Sequence, residues 1–197
     1  YRDIPEGAWY ETAVQYVTEL GLFTGVLEDQ FAPDTPLTRA MLVTVLWRLE
    51  NEPASIQGNP FADVPDETWY TDAIIWAAGN NIVEGYGSDA FGPTDQLTRE
   101  QMAAILYRYA AFKGYDTSAT ADMTPYDDND MISDWALPAM RWAVGTNLIS
   151  GITPERLAPK GVCSRAECAV ILTRFLQTVV KEEEVAIKSS PQIVTRT

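Results

Sequence analysis

Residues 91–102 read Phe-Gly-Pro-Thr-Asp-Gln-Leu-Thr-Arg-Glu-Gln-Met, and the same pattern returns in residues 31–42 and 157–168. Each copy has an apolar residue two positions before a proline, followed by a Thr-Arg or Ser-Arg pair. The three arginines are 60 and 66 residues apart, and a Trp upstream of each one keeps the same two intervals. The arginines are Arg39, Arg99 and Arg165, and the tryptophans are Trp9, Trp69 and Trp135. Two markers in one register predict a protein of three tandem repeats.

The residue before each arginine is predicted to begin a helix. Its hydroxyl precedes a run of helical periodicity and can accept a hydrogen bond from a free backbone N–H of the first turn, worth about 1 kcal/mol. Gln101 and Glu167 stand three residues after the second and third caps, which is the spacing of a capping box, whereas the first copy has Met41 there. The predicted caps are Thr38, Thr98 and Ser164.

Apolar residues flank each predicted cap at the two positions that form a hydrophobic staple. In the third copy both positions are cysteines, Cys163 and Cys168. They are interpreted either as buried thiols that replace an apolar pair or as a disulfide across the cap. A zinc site is not expected, because the chain has no histidine and no other cysteine. The other pairs are Leu37 with Leu42 and Leu97 with Met102.

The repeated arginine stands at the first helical position, where a cation opposes the helix dipole. Because an arginine is electrostatically unfavourable at this position and still occurs in all three copies, it is expected to have a specific role. One interpretation is an anion pocket, because free N–H groups at a helix start and an adjacent guanidinium suit a carboxylate or a phosphate. The alternative is an arginine paired with a neighbouring aspartate, which this acidic chain offers easily.

The composition describes a chain of 197 residues, 46% hydrophobic, that can bury a sizeable core. Its net charge of −14 argues against nucleic acid or an anionic membrane as a partner held by bulk charge. No apolar run has the length of a membrane span, so no membrane insertion is expected. The chain begins at Tyr1 without a signal-like segment, which indicates a processed protein or a piece of a longer one.

Each repeat is predicted to contain two helices joined by a loop. The first helix follows the Trp, and the second begins at the Thr or Ser cap. Pro138 is expected in the first turn of its helix, and Gly or Asn is expected to end each first helix. The repeats are predicted at residues 1–51, 61–113 and 126–178, with a helix extension and a tail or linker at residues 179–197.

The combined pattern resembles the S-layer homology (SLH) repeat, in three copies over residues 1–178. Residues 61–99 show it most fully, with Phe-x-Asp-Val-Pro, Trp-Tyr, Ala-Ile, Ile-Val-x-Gly-Tyr-Gly, Phe-x-Pro and Thr-Arg. The family's Thr-Arg-Ala-Glu motif keeps its Glu only in the third copy, as Ser-Arg-Ala-Glu. The resemblance implies an all-α fold in which three tandem helix-loop-helix repeats form a pseudo-threefold assembly around a central three-helix bundle with three prongs.

The resemblance also implies a function, the non-covalent anchoring of a surface protein to the bacterial cell envelope. Grooves between neighbouring repeats would bind an anionic secondary cell-wall polysaccharide, typically through a terminal N-acetylmannosamine that carries a pyruvate ketal. The implied localisation is secreted, at the cell wall or S-layer, and the implied protein partner is a fused or neighbouring surface-protein domain. No cofactor is implied.

Carried over onto this sequence, the resemblance assigns binding of the glycan carboxylate to the three arginines. Glycines would allow close backbone approach to the sugar, and aspartates would accept hydrogen bonds from its hydroxyls. The alternative is that the glycines only form turns and that the aspartates only cap the following helix. The glycines are Gly25, Gly85 and Gly151, and the aspartates are Asp3, Asp63 and Asp127, with Asp128 as the alternative in repeat three.

Two sets of aromatic residues accompany these candidates. The tryptophans of the repeat register are interpreted as core anchors rather than as stacking platforms for a sugar. A second set keeps the same intervals of 60 and 66 residues and is a candidate for lining either the grooves or the bundle axis. This second set is Tyr16, Trp76 and Trp142.

Two other functions compete with anchoring. The cluster of Asp127, Asp128 and Asp130 leaves open a self-assembly module of a surface layer that calcium stabilises, although the spacing does not match an EF-hand loop. An enzyme is disfavoured, because the absence of histidine removes the usual bases and because every candidate site is repeated. The sequence therefore predicts a protein without a catalytic site.

Overall fold

The computed structural model describes residues 1–180, and six α-helices carry the fold. Isolated bridges but no strand occur among these residues, so the predicted all-α class is confirmed. Residues 181–197, which hold most of the predicted extension and tail, lie outside the described part. The helices are α1 Glu11–Glu19, α2 Arg39–Leu49, α3 Thr71–Gly79, α4 Arg99–Lys113, α5 Leu137–Gly145 and α6 Arg165–Phe175, with short turns at Asn129–Met131, Asp134–Ala136 and Leu176–Val180.

The predicted caps begin the second helix of each repeat. The Thr38 hydroxyl accepts from the Met41 N–H at 3.3 Å, without a returning side chain. Both predicted capping boxes are formed at the starts of α4 and α6. Pro138 lies in the first turn of α5, as expected. The left-handed residues predicted to end the first helices are present as Gly21, Asn81 and Asn147, with φ of 70°, 57° and 58°.

A closed ring of backbone hydrogen bonds joins the three repeats at the residues before the caps. Leu97 N–H donates to Leu37 O at 2.8 Å, Cys163 N–H donates to Leu97 O at 2.8 Å, and Leu37 N–H donates to Cys163 O at 3.0 Å. Each repeat therefore gives one bond and receives one. This ring defines a pseudo-threefold axis at the start of α2, α4 and α6.

The residues of the three predicted staples are fully buried around this ring. Cys163 and Cys168 are both free thiols, so the interpretation as a buried apolar pair is confirmed and the disulfide is not formed. Burial raises the pKa of the Cys168 thiol well above its usual value. Both cysteines therefore act as small hydrophobic side chains here.

The far ends of the same three helices also meet. The Tyr109 hydroxyl of α4 donates to the Glu50 carboxylate just after α2 at 2.5 Å, and Lys113 contacts its other oxygen at 3.1 Å. The Tyr109 ring packs on Phe175 of α6, with ring centroids 5.8 Å apart. Since α2, α4 and α6 are joined at both ends, they form the expected central three-helix bundle.

The first helix of each repeat packs mainly on the second helix of the preceding repeat. In the structure α3 packs on α2, α5 packs on α4, and α1 closes the cycle by packing on α6. The Thr173 hydroxyl of α6 reaches the Ala13 carbonyl of α1 at 3.4 Å. The repeats are therefore interlocked, and one repeat of the sequence is not an independent packing unit.

Candidate functional site: three inter-repeat grooves

The helix starts beside the repeated arginines hold no free N–H group in the first three positions. Arg39 N–H donates to Asp95 O at 3.0 Å, and Ala40 N–H donates to Pro93 O at 3.1 Å, both in the loop of the next repeat. The third N–H is taken by the cap hydroxyl. The predicted contribution of helix-start N–H groups to an anion pocket is therefore wrong, because neighbouring loops already use them. The corresponding acceptors are Gly161 and Pro159 for α4, and Thr35 and Pro33 for α6.

The arginine side chains also reach into the loop of the next repeat. Arg39 donates from Nε to Phe91 O at 3.1 Å and from Nη2 to Glu84 O at 2.9 Å. The fork geometry of a guanidinium allows both bonds at once. The other two arginines repeat the arrangement and complete the cycle: Arg99 binds Leu157 O at 2.8 Å and Ser150 O at 2.5 Å, and Arg165 binds Phe31 O at 2.8 Å and Thr24 O at 2.7 Å.

The alternative interpretation, in which these arginines pair with neighbouring aspartates, is not found among residues 1–180. Arg39 and Arg165 have no ion-pair partner within residues 1–180, and Arg99 Nη1 lies 3.5 Å from Glu167 Oε1. Arg39 and Arg165 instead stack over aromatic rings, with the guanidinium carbon 4.6 Å from the Phe91 centroid and 4.5 Å from that of Phe31. Burial lowers the pKa of both guanidinium groups, yet arginine stays protonated in proteins. Each of these arginines therefore places a buried positive charge between two repeats.

Each arginine lines a groove to which all three repeats contribute. One repeat gives the arginine, the next gives a loop glycine and a second arginine from its bundle helix, and the third gives a tryptophan. We name each groove by its first arginine. The Arg165 groove contains Gly25, Arg48 and Trp69 and has a volume of about 270 Å³, the Arg39 groove contains Gly85, Arg108 and Trp135 with about 260 Å³, and the Arg99 groove contains Gly151, Arg174 and Trp9 with about 380 Å³.

The tryptophans of the repeat register are groove residues, and their prediction as core anchors is wrong. Trp9, Trp69 and Trp135 are 67%, 57% and 55% exposed. Trp9 and Trp69 each stand edge-on to the following tyrosine, at ring-centroid distances of 5.2 and 5.0 Å. The core prediction failed because each Trp precedes its helix and is turned toward a different repeat from the one that carries it.

The second aromatic set lines none of the three arginine grooves. Trp142 is fully buried between the rings of Tyr107 and Phe175, at centroid distances of 5.4 and 6.4 Å. Trp76 is 6% exposed and stands edge-on to Phe112 at 6.1 Å, and Tyr16 packs against the core. The groove option for Tyr16, Trp76 and Trp142 is therefore wrong, because these positions face the packed sides of the first helices.

The second arginine of each groove was missed by sequence reasoning. Arg48, Arg108 and Arg174 lie nine residues after the first arginines and keep the same intervals of 60 and 66. This regular spacing could have identified them in the sequence. Arg48 and Arg174 each bind a backbone carbonyl at 3.4 Å, and Arg108 Nη2 pairs with Glu84 Oε2 at 3.1 Å.

The predicted aspartates hold the groove loops from within. Asp3 accepts from the N–H groups of Phe31 and Ala32 at 2.9 and 2.6 Å, and Asp63 accepts in the same way from Phe91 and Gly92. Desolvation opposes ionisation, yet these N–H donors outweigh it and lower the pKa of each carboxyl below its usual value. Both carboxylates thus bind backbone N–H groups of the groove loops.

In repeat three the matching residue is Asp128 and not Asp127. The Asp128 carboxylate accepts from Leu157 N–H at 2.9 Å and from Ala158 N–H at 2.8 Å. Asp127 contributes its backbone N–H, which donates to Glu155 O at 2.8 Å. Two adjacent aspartates made the register ambiguous in the sequence, and the backbone contacts resolve it.

The three predicted glycines lie in the grooves, but their own loops explain why glycine is needed. A Cβ on Gly85 would lie 2.5 Å from Ala90 O and 2.8 Å from the Phe61 ring. A Cβ on Gly25 or Gly151 would collide with a carbonyl oxygen two residues ahead. The loop thus turns tightly past each glycine, and the same glycine leaves the groove wall open.

Within residues 1–180, no group of acidic or cysteine side chains has the arrangement of a metal site, and this includes Asp127, Asp128 and Asp130. No helix in that part of the chain is long and apolar enough to cross a membrane.

Comparison with known proteins agrees with the fold. The sequence profile of the S-layer homology domain matches residues 1–40, 60–103 and 125–169. The chain belongs to the S-layer homology domain family. Family membership places this part of the chain at the cell wall or surface layer, as a non-catalytic anchoring module.

Similar proteins are much longer than this chain. It is 30% identical to Exoglucanase XynX of Acetivibrio thermocellus and to an amylopullulanase of Thermoanaerobacterium thermosulfurigenes, with 90% of the chain matching 16% and 9% of those proteins. It is 28% identical to the Surface-layer 125 kDa protein of Lysinibacillus sphaericus, where 85% of the chain matches 14% of that protein. The chain thus corresponds to a small part of each relative.

Proposed function

We propose that the three grooves bind an anionic secondary cell-wall polysaccharide and so anchor an attached protein non-covalently to the bacterial envelope. The observation that carries this proposal is the concentration of positive charge. Six of the ten arginines of a chain with net charge −14 line the three grooves. A surface that is acidic elsewhere repels polyanions in general, so binding depends on these local sites.

The groove chemistry suits a carboxylate carried by a sugar. Two arginines supply charged donors, and a charge-assisted hydrogen bond is worth about 1.5 to 3 kcal/mol. The exposed tryptophan supplies a rigid, partly apolar face at the groove mouth, of the kind that packs against a sugar ring. A pyruvate ketal on N-acetylmannosamine combines a carboxylate with such a ring, which supports the pyruvylated polymer as the ligand.

Three similar grooves favour a repetitive ligand. When one site is bound, the next sugar of the same polymer reaches another groove at high effective concentration, so weak single sites give strong overall attachment. The names of the relatives, a surface-layer protein and two glycan-degrading enzymes, support a fused or neighbouring domain as the cargo of this module.

Binding to purified cell-wall sacculi tests the proposal. We expect the protein to sediment with sacculi that carry the pyruvylated polymer and to stay in solution when the polymer has been removed. The double variant Arg48→Ala/Arg108→Ala should reduce sedimentation, because it removes one cation from each of two grooves. Arg141→Ala is the matched control, since Arg141 is exposed and lines none of the three grooves. Equal sedimentation with both kinds of sacculi contradicts the proposal.

A further inference from the structure

Each of the three grooves is lined by two arginines, a glycine and a tryptophan, but the grooves differ at one position of the helix that lines them. This position lies three residues after the cap and faces the groove in each copy. It is Met41 in the Arg165 groove, Gln101 in the Arg39 groove and Glu167 in the Arg99 groove. The side chain at this site is therefore apolar, neutral polar or negatively charged in grooves that are otherwise built alike.

The Arg99 groove carries a fixed negative charge. Glu167 Oε2 accepts from Ser164 N–H at 2.8 Å in the capping box, and Oε1 lies 3.5 Å from Arg99 Nη1. The cap holds this carboxylate beside the guanidinium. The Glu167 carboxylate already compensates part of the positive charge of Arg99. It also repels any anionic ligand that approaches this arginine.

The Arg165 groove carries no such charge among residues 1–180. Within that part of the chain, its lining contains Arg165 and Arg48 and no carboxylate. Asp3 acts on Arg165 through space, but both of its oxygens are taken by backbone N–H groups. The two positive charges of this groove are therefore available to a ligand together.

The Arg39 groove is intermediate. Gln101 is neutral, but Glu84 pairs with Arg108 at 3.1 Å. The Glu84 side chain is 73% exposed, so solvent screens this pair. The charge of Arg108 is thus partly compensated by an exposed carboxylate rather than by one that a helix cap holds in place.

We propose that the residue three positions after the cap sets the anion affinity of each groove, and that the Arg165 groove is the principal site while the Arg99 groove is the weakest. This inference rests on the proposed function, because it ranks sites for the same anionic sugar. It makes Met41, Gln101 and Glu167 the residues that distinguish the three sites. A polymer would engage the Arg165 groove first and the other grooves afterwards.

Each groove has its own reporter for a test, because one exposed tryptophan lies in each. The protein labelled with 5-fluorotryptophan is titrated with a pyruvylated N-acetylmannosamine glycoside and followed by fluorine NMR. The six tryptophan resonances are assigned with single Trp→Phe variants. We expect the Trp69 resonance to reach half-saturation at a glycoside concentration at least about fivefold below that for Trp9.

Substitutions at the distinguishing position supply the second arm. Met41→Glu should raise the half-saturation concentration at Trp69 about fivefold, whereas the matched control Met41→Gln should change it less than about twofold. Both replacements allow a capping box, so helix α2 is kept. Glu167→Gln should lower the half-saturation concentration at Trp9, because Gln keeps the cap, as Gln101 does in α4, and removes the charge.

The outcomes separate the two proposals. If the wild-type resonances of Trp9 and Trp69 titrate together, or if Met41→Glu behaves as Met41→Gln does, the ranking is overturned while glycan binding stands. If millimolar glycoside shifts no groove tryptophan and sacculi with and without the polymer bind equally, the proposed function fails and the ranking fails with it.

Discussion

The repeated arginine combines two tasks in one side chain. Nε and Nη2 hold carbonyl groups of the next repeat, and the same guanidinium lines the groove beside them. Lysine cannot copy this, because its ammonium is a compact point charge without a planar fork. The arginine at the first helical position is thus favoured by contacts between repeats, which outweigh the small cost that the helix dipole imposes.

Trp69→Ala tests the groove role of the repeated tryptophan. We expect affinity for the pyruvylated glycoside to fall by about 0.5 to 1.5 kcal/mol, since the indole face is lost. Thermal stability should stay within about 0.5 kcal/mol of wild type, because this side chain is 57% exposed. Calorimetric titration and a melting curve measure the two effects. A large loss of stability with unchanged affinity would contradict the groove role and would indicate that Trp69 is a core anchor.

Asp128→Asn tests the carboxylates that hold the loops. The variant should unfold with about 2 kcal/mol less free energy at pH 7, because two N–H groups lose a charged acceptor. Asp128 has a folded pKa below the ordinary value. Its contribution is therefore complete above about pH 4, the ordinary pKa of Asp, and is lost as the pH falls through the folded pKa.

Urea unfolding of wild type and Asp128→Asn at pH 7 and pH 3 provides the measurement. The difference between the two proteins should shrink at pH 3. Asp127→Asn is the matched control, since the neighbouring carboxyl does not accept these N–H bonds, and it should change stability little at either pH. A constant difference across the pH range would contradict the assignment.

For single helices, the sequence predicted the features that depend only on residues close together in the chain. The caps, the boxes and the left-handed helix ends follow from hydroxyl, Gln or Glu, and Gly or Asn residues at fixed offsets, and the structure has them. The partners of each helix could not be predicted in this way. That α1 packs on α6 depends on contacts such as the one between Ala13 and Thr173, which are 160 positions apart, and no local pattern encodes such contacts.

The tight turn of a groove loop past its glycine can be tested by substitution. Gly85→Ala should destabilise the protein by about 1 to 3 kcal/mol and weaken ligand binding in the Arg39 groove, because its Cβ would meet the Ala90 carbonyl and the Phe61 ring. Gly58→Ala is the matched control, since a Cβ there meets open space. Denaturant unfolding of both variants decides the point. Equal stability of the two variants would mean that the loop relaxes around the new methyl group.

For the whole molecule, the three repeats form one closed unit. The backbone ring, the arginine contacts and the helix pairs all run from one repeat to the next and return from the third to the first. The sequence predicted three repeats and an all-α assembly because the register is visible along the chain. It could not show that every groove takes residues from all three repeats, since that follows from closure in space.

Residues 1–125 alone should therefore lose binding. This fragment lacks Arg165 and Trp135, so the Arg165 and Arg39 grooves are incomplete, and it lacks the loop and helix of the Arg99 groove. Helix α1 also loses α6, its packing partner. Circular dichroism should show reduced helicity, and calorimetry should show no binding of the glycoside. A fully helical fragment that binds would contradict the closed unit.

The most direct test of groove recognition is a pair of calorimetric titrations of the whole chain. One uses a pyruvylated N-acetylmannosamine glycoside, and the other uses the same glycoside without the pyruvate ketal. The grooves present paired arginines in an acidic protein, so binding should require the carboxylate and should fall by about 1.5 to 3 kcal/mol or more without it. Equal affinity for the two glycosides, or heat from neither, would contradict the account.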